Sequence, residues 1–356
     1  MRIGILTLPF EPNYGWALQL YALQQFLIRL GHEPVCLDRR WNRGRSNSGL
    51  WVSIKRWGYY HLLCRRFYSF SQKNIIRTIE CYSSDDLEKL VSQYQLNAVI
   101  IGSDQVWRIE NVRNADLNYW GDFLSELPIK KLTYAVSFGT NQWKGTDEET
   151  LKIQGYLNSF SGLSVREKDA VEMCSTLFGV KAEHVLDPTL LLKAEEYENL
   201  LSHPIEKAAM LTTYILDPSE QKDALIHSIS KDRSLEVNHL YKRHTGSCHF
   251  YGSVESWLQS IRDANCVVVD SFHGMVFAIL YHKQFVVLGN EKRGMSRFSS
   301  LLSSLGLLDR LLTNYDEKSA VDVMNKPIDY DSVEEKLEVF RKTSLHFLTE
   351  NLCDAE

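Results

Sequence analysis

Four stretches of this chain put hydroxyl, carboxylate, imidazole or guanidinium groups where an apolar strand pattern stops. In "VVVDSFHGM" an apolar run ends in Asp270, Ser271 and His273, and a helical apolar pattern follows at once. An imidazole at a helix start can join the free N–H groups there to hold an anion, or it can be an ordinary structural histidine. In "GNEKRGMSRF", Arg293 and Arg297 are four apart and would share one face of a helix; surface solvation is the competing account. In "IIGSDQVWR" a buried strand ends in Ser103, Asp104 and Gln105. Asp104 there can take a proton from an alcohol or bind its hydroxyl, or simply cap a turn. Arg166 ends the strand of "LSVREKDA". Its planar fork suits a carboxylate or a phosphate, and a structural salt bridge is the alternative. After the first strand comes "NYGW", where Asn13 and Tyr14 stand beside a glycine that lets the backbone pass close to a ligand. A helix cap is the competing account of Asn13. The chain has no GxGxxG, so the dinucleotide fingerprint is missing.

The elements that must position these residues alternate. "RIGILTL", a loop, a helix over Ala17–Leu30 stopped by Gly31, and "PVCLD" make a βαβ unit, which predicts a parallel sheet. Further strands read at "AVIIG", "LTYAVSF" and "GLSVR", with helices near 85–95, 147–160 and 167–176. "VLDPT" reads as a strand ending at a domain junction. A second alternation follows: strands at "MLTTYIL", "EVNHL", "CVVVD" and "QFVVLG", helices between them, and a last helix near 332–350. The expected fold class is α/β, with two facing Rossmann-like halves. The N-terminal one covers 1–188. The C-terminal one covers 189–356, its last helix packing back on the first. Ligands of such sheets sit at the carboxyl ends of the strands.

Composition bounds the partners. With 356 residues, 44% hydrophobic and 24% charged, the chain reads as a soluble two-domain protein. A net charge of -5 gives no general nucleic-acid footprint, and nucleic acid is not among the expected partners. Seven cysteines without a CxxC suit a reducing compartment and make a metal site unexpected. The chain opens on a strand pattern rather than a signal peptide, and no apolar run reaches the ~20 residues of a membrane span. The expectation is cytoplasmic, at the inner face of the membrane. That last part rests on residues 39–79, which hold ten Lys/Arg, no Asp or Glu, and eight aromatics. A basic insertion packed on the first half explains them; so does a surface for an anionic membrane or a lipid-diphosphate substrate. Single-stranded nucleic acid is a third reading of basic-plus-aromatic composition.

Taken in order, "NYGWALQLYALQQFLIRLGHEP", "IIGSDQVWR", "YAVSFGT", "LSVREKDA", "VLDPTLLL" and "DSFHGMVFAILYHKQFVVLGNEKRGMSRF" resemble the polysaccharide pyruvyl transferase family, over about residues 3–310. The resemblance implies a fold like the two-domain GT-B glycosyltransferases. It implies transfer of pyruvate from phosphoenolpyruvate to two hydroxyls of a sugar, giving a pyruvate ketal and phosphate, in the making of cell-surface polysaccharide. It carries a donor-binding role to Arg166 and His273, with Ser271 expected beside them in the donor site. Some members have Arg-Leu-His where this chain has Ser271-Phe272-His273, so Arg293 or Arg297 is expected to replace that arginine. His273 is then the expected acid and Asp104 the expected base, with Asn13, Tyr14, Ser103 and Gln105 toward a lipid-diphosphate-linked saccharide acceptor. No cofactor beyond the phosphoenolpyruvate donor and no metal is expected. A nucleotide-sugar glycosyltransferase on the same fold, or a non-catalytic scaffold of a polysaccharide assembly, are the rival readings.

Overall fold

The computed structural model describes residues 1–41, 64–201, 209–240, 252–289 and 294–353. Arg293 and most of the basic, aromatic-rich segment, residues 42–63, lie outside the described residues. The strands are β1 Arg2–Leu6, β2 Glu33–Cys36, β3 Ala98–Ile101, β4 Asn114–Leu117, β5 Lys130–Thr133, β6 Ser164–Val165, β7 Glu183–His184, β8 Met210–Tyr214, β9 Glu236–His239, β10 Cys266–Val269, β11 Gln284–Leu288 and β12 Leu311–Leu312. The helices used below are α1 Tyr14–Arg29, α2 Arg65–Asn74, α3 Glu220–Arg233, α4 Phe272–Leu280, α5 Ser296–Leu305 and α6 Tyr330–Leu352.

The chain divides into two compact units: Met1–Ile54, Ser71–Leu191 and Glu338–Glu356 form one, and Lys55–Phe70 with Leu192–Leu337 form the other. The first is built on a parallel sheet of order β2-β1-β3-β5. Isolated parallel bridges, Leu132 to Gly162 and Val136 to Val165, attach the β6-β7 pair beyond β5. The second unit holds a parallel sheet of order β12-β11-β10-β8-β9. Both orders follow from strand–helix–strand connections, which return each strand parallel to the last. The interior strands are near-continuous apolar runs because helices cover both faces of such sheets; "AVII" of β3 and "CVVV" of β10 are buried throughout.

Helix α1 begins at Tyr14, three residues earlier than its apolar pattern suggests. The Asn13 side chain accepts from the Trp16 N–H and stops the strand-side loop there. "LTYAVSF" is not one strand. Ala135 has φ +51, which breaks the pleat after Thr133, and pairing resumes only as bridges at Val136. "VLDPT" is not a strand either. The Asp187 carboxylate turns back to the Thr189 N–H, and Pro188–Leu190 is a short 3-10 turn.

Candidate functional site

In the first unit the carboxyl ends of β1, β3 and β6 carry one continuous buried polar network. Its hub is Asp187, wholly buried. Oδ2 of Asp187 accepts from Arg166 at 2.6 Å and from Ser103 Oγ at 3.2 Å. Oδ1 accepts from the Thr189 N–H at 3.0 Å and its hydroxyl at 2.6 Å. The Ser103 carbonyl accepts from Thr7 Oγ1 at 3.0 Å, and Thr7 Oγ1 in turn accepts from Gln19 at 3.2 Å. Arg166 also faces Asp104 at 3.6 Å and Glu167 at 3.8 Å. Burial works against its charge, but Asp187, Glu167 and Asp104 together raise its pKa above the ordinary arginine value. The salt-bridge account of Arg166 therefore describes its surroundings: three carboxylates around one guanidinium.

Asp104 sits at φ +81, a left-handed conformation that aspartate tolerates better than most residues. One oxygen accepts from the Gln105 N–H at 2.9 Å and faces Arg166. Gln105 is half-buried, accepts from Arg108 at 3.4 Å and packs on Gly139 so closely that a Cβ there would lie 2.7 Å from its Cδ. Ser103 is wholly buried and Tyr14 nearly so, and the Asn13 side chain is engaged in capping α1. Ser103, Asp104 and Arg166 are thus brought together, with Asn13 and Tyr14 belonging to the neighbouring start of α1. A cavity of about 590 Å³ also opens in this unit, lined by Arg113, Asp116, Asp122, Glu149 and Tyr156 among others. None of the residues singled out from the sequence lines it.

In the second unit, the end of β10 resolves what each polar residue of "DSFHG" does. Asp270 accepts from the Leu216 and Asp217 N–H groups, at 2.6 and 3.0 Å, and pairs with Lys222 of α3 at 2.8 Å. That carboxylate ties three chain segments together at the strand ends. Ser271 caps α4, accepting from the Gly274 N–H at 3.4 Å. Gly274 lets α4 lie against β10: a Cβ there would come within 2.9 Å of Val269 Cγ1. His273, buried, occupies the first turn of α4 edge-on to Phe272, ring centroids 5.4 Å apart. Phe272 is also met by Arg297, whose guanidinium carbon lies 5.6 Å from the ring centroid. Arg297 is buried in the first turn of α5, which starts at Ser296. Neither α4 nor α5 has an acidic residue in its first turn. His273 and Arg297 are therefore neighbours through Phe272, each at the positive end of a helix.

Asp187, Glu167 and Lys222 escaped the sequence reading. Asp187 had a signal, the "DPT" that places an aspartate before a proline and a hydroxyl two residues on. Lys222 had none: an exposed-looking lysine in a helix is buried only because Asp270 is there to meet it. Among the described residues no group of three or more His, Cys, Asp or Glu is arranged to hold a metal ion. Among them, too, no helix is long and apolar enough to cross a membrane.

Two Rossmann-like domains define the class: this is the architecture of the GT-B glycosyltransferases and epimerases. A UDP-N-acetylglucosamine 2-epimerase from Listeria monocytogenes, described as putative, is similar over 99% of this chain and 97% of its own, at 8% identity and a TM-score of 0.57. Another UDP-N-acetylglucosamine 2-epimerase is similar over 99% and 95%, at 11% identity and 0.55. The S. aureus MnaA–UDP complex is similar over 99% and 97%, at 10% identity and 0.54. No curated protein matches the chain by sequence. The profile of the polysaccharide pyruvyl transferase family matches residues 13–292, and the chain belongs to that family.

Proposed function

We propose that the protein transfers the enolpyruvyl group of phosphoenolpyruvate to two hydroxyls of a saccharide, forming a pyruvate ketal in polysaccharide biosynthesis. The observation that carries this reading is the pair His273 and Arg297, buried in the first turns of α4 and α5 and both in contact with Phe272. Helix starts attract anions and are poor neighbours for cations. A small, multiply charged anion suits two helix starts that present an imidazole and a guanidinium, and phosphoenolpyruvate carries a phosphate and a carboxylate.

In this reading Arg297 and the helix N–H groups hold the donor, and His273 protonates its CH2 carbon. The positive character then gathers at C2, and one sugar hydroxyl attacks there while Asp104 takes its proton. The second hydroxyl then displaces phosphate at C2 to close the ring, and its proton leaves with the phosphate. The resemblance carries a donor contact to Arg166; its three carboxylate neighbours favour a positioning role, holding Asp104 through the Asp187 hub. Ser103 and Gln105 frame Asp104 on the acceptor side, beside Asn13 and Tyr14, and Arg293 stays a further candidate for the donor.

The test is phosphate release from phosphoenolpyruvate, assayed with a panel of synthetic galactosides and mannosides, with UDP-sugars as a parallel arm. Release that depends on both phosphoenolpyruvate and a saccharide supports the reading. Turnover of a UDP-sugar with no response to phosphoenolpyruvate would replace it with a glycosyltransferase or epimerase.

A further inference from the structure

The edge of the first unit's sheet exposes apolar side chains among cations. Strand β2 is the outermost of that sheet, and residues 75–81 run beside it, with bridges from Cys36 to Arg77 and from Arg39 to Cys81. Along this cover Ile75, Thr78 and Cys81 turn inward and are buried. Ile76 and Ile79 are 53% and 61% exposed. Gln24 clamps Ile76 to α1 through both of its backbone groups, at 2.8 and 3.1 Å. One turn further along α1 is Ile28, 42% exposed, followed by exposed Arg29. Just before the cover, the last turn of α2 presents exposed Lys73, which makes no ion pair among the described residues. The adjoining acidic residue, Glu80, is engaged by Arg40 at 3.3 Å and by the Tyr82 hydroxyl.

Isolated exposed isoleucines need no explanation. Ile76 and Ile79 on one sheet edge, with Ile28 and Arg29 on the adjoining helix and Lys73 just before them, are a different matter; the two edge isoleucines also end a stretch, 39–79, with ten basic and no acidic residues. Water gains nothing from them, and Ile76 and Ile79 leave more than half of their surface uncovered. We infer that this edge docks on an anionic lipid bilayer, with Ile76, Ile79 and Ile28 entering the headgroup–acyl boundary and Lys73 and Arg29 meeting lipid phosphates. The charge complementarity selects the lipid: cations near an anionic leaflet are attracted, and short apolar insertions add a term that salt does not screen. The inference is independent of the transfer chemistry, since the edge contains none of the residues assigned to it.

The experiment is co-sedimentation of the full chain with vesicles of equal parts phosphatidylglycerol and phosphatidylcholine, and with phosphatidylcholine alone, at low and high salt. Binding is expected on the anionic vesicles, weakened but not abolished by salt. Ile76→Ser with Ile79→Ser should lower it on the order of tenfold, and Lys73→Glu with Arg29→Glu by a similar factor that vanishes at high salt. All four side chains are exposed, so both variants should keep the wild-type melting temperature, which serves as the folding check. Absence of binding to anionic vesicles, or equal binding by wild type and both variants, would overturn the inference. So would a concentration-dependent dimer that the isoleucine variant abolishes, which would make the edge a self-association face. Phosphate release from phosphoenolpyruvate on a soluble saccharide reads the other proposal separately and should be unchanged in both variants.

Discussion

Arg166 and His273 stand for two ways of placing a charge in a protein interior. Arg166 is surrounded by Asp187, Asp104 and Glu167, so removing it strands a carboxylate that is wholly buried. Arg166→Ala should therefore cost about 3–5 kcal/mol of stability, read as a lowered urea midpoint. Arg166→Met combined with Asp187→Asn should recover much of that, because the pair is then replaced rather than broken. If the single and double variants unfold alike, the three-carboxylate cage is not what holds these strand ends. His273 lies in a helix start beside Phe272 and Arg297. On the proposed mechanism His273→Gln keeps the fold and lowers turnover on the order of 10²–10⁴, while phosphoenolpyruvate still binds by calorimetry. Normal turnover in that variant would remove the histidine from the proton-transfer step.

At the scale of the element, the strand-to-helix turn from β10 to α4 is where sequence and packing meet most tightly. All nine residues of α4 are buried, and Gly274 is the contact point with Val269 and Tyr214. Gly274→Ala should cost about 1–3 kcal/mol through overpacking against the strand, although alanine is the better helix former in the open. A melting temperature that rises instead would show that α4 can lift off β10 without loss. The apolar runs of β1, β3, β10 and β11 were legible because a doubly covered parallel strand is nearly continuous in apolar residues. Element ends were less so: Asn13 starts α1 early, and Ala135 at positive φ divides "LTYAVSF". The placement of Ser103, Asp104, Arg166 and His273 just after strands was legible, and they follow β3, β6 and β10. What stayed hidden was partnership: that Arg166 meets Asp187, from twenty-one positions along, and that Asp270 meets Lys222, are facts of folding with no local pattern. Arg297 was read beside Arg293, which lies outside the described residues; its guanidinium lies near the rings of Phe272 and Phe298.

At the scale of the whole molecule, the chain returns to its first unit to finish it. Helix α6 starts in the second unit, but from Glu338 onward it belongs to the first. There Ser344, wholly buried, accepts from the Leu186 N–H at 3.0 Å, and Arg341 donates to the Leu190 carbonyl at 2.8 Å. Those two contacts grip the segment that contains Asp187, the hub of the polar network. Phe347, Leu348 and Leu352 are almost entirely buried in the same unit, with Phe347 beside Tyr134. Asn351 reaches Gly162 so closely that a Cβ there would sit 2.4 Å from its Oδ1. The end of the chain is thus part of what orders the proposed acceptor-side network. Burying three such side chains contributes about 5–9 kcal/mol, comparable to the whole stability of a typical domain. Deleting residues 338–356 should therefore unfold or loosen the first unit while sparing the second. Ser344→Ala is the milder probe and should cost about 1–3 kcal/mol by leaving the Leu186 N–H buried without its acceptor. Hydrogen exchange separates the outcomes. Faster exchange at residues 184–191 and in β3, with β8, β10 and β11 unchanged, fits a helix that serves the first unit. Equal acceleration in both sheets would mean that the two units unfold as one.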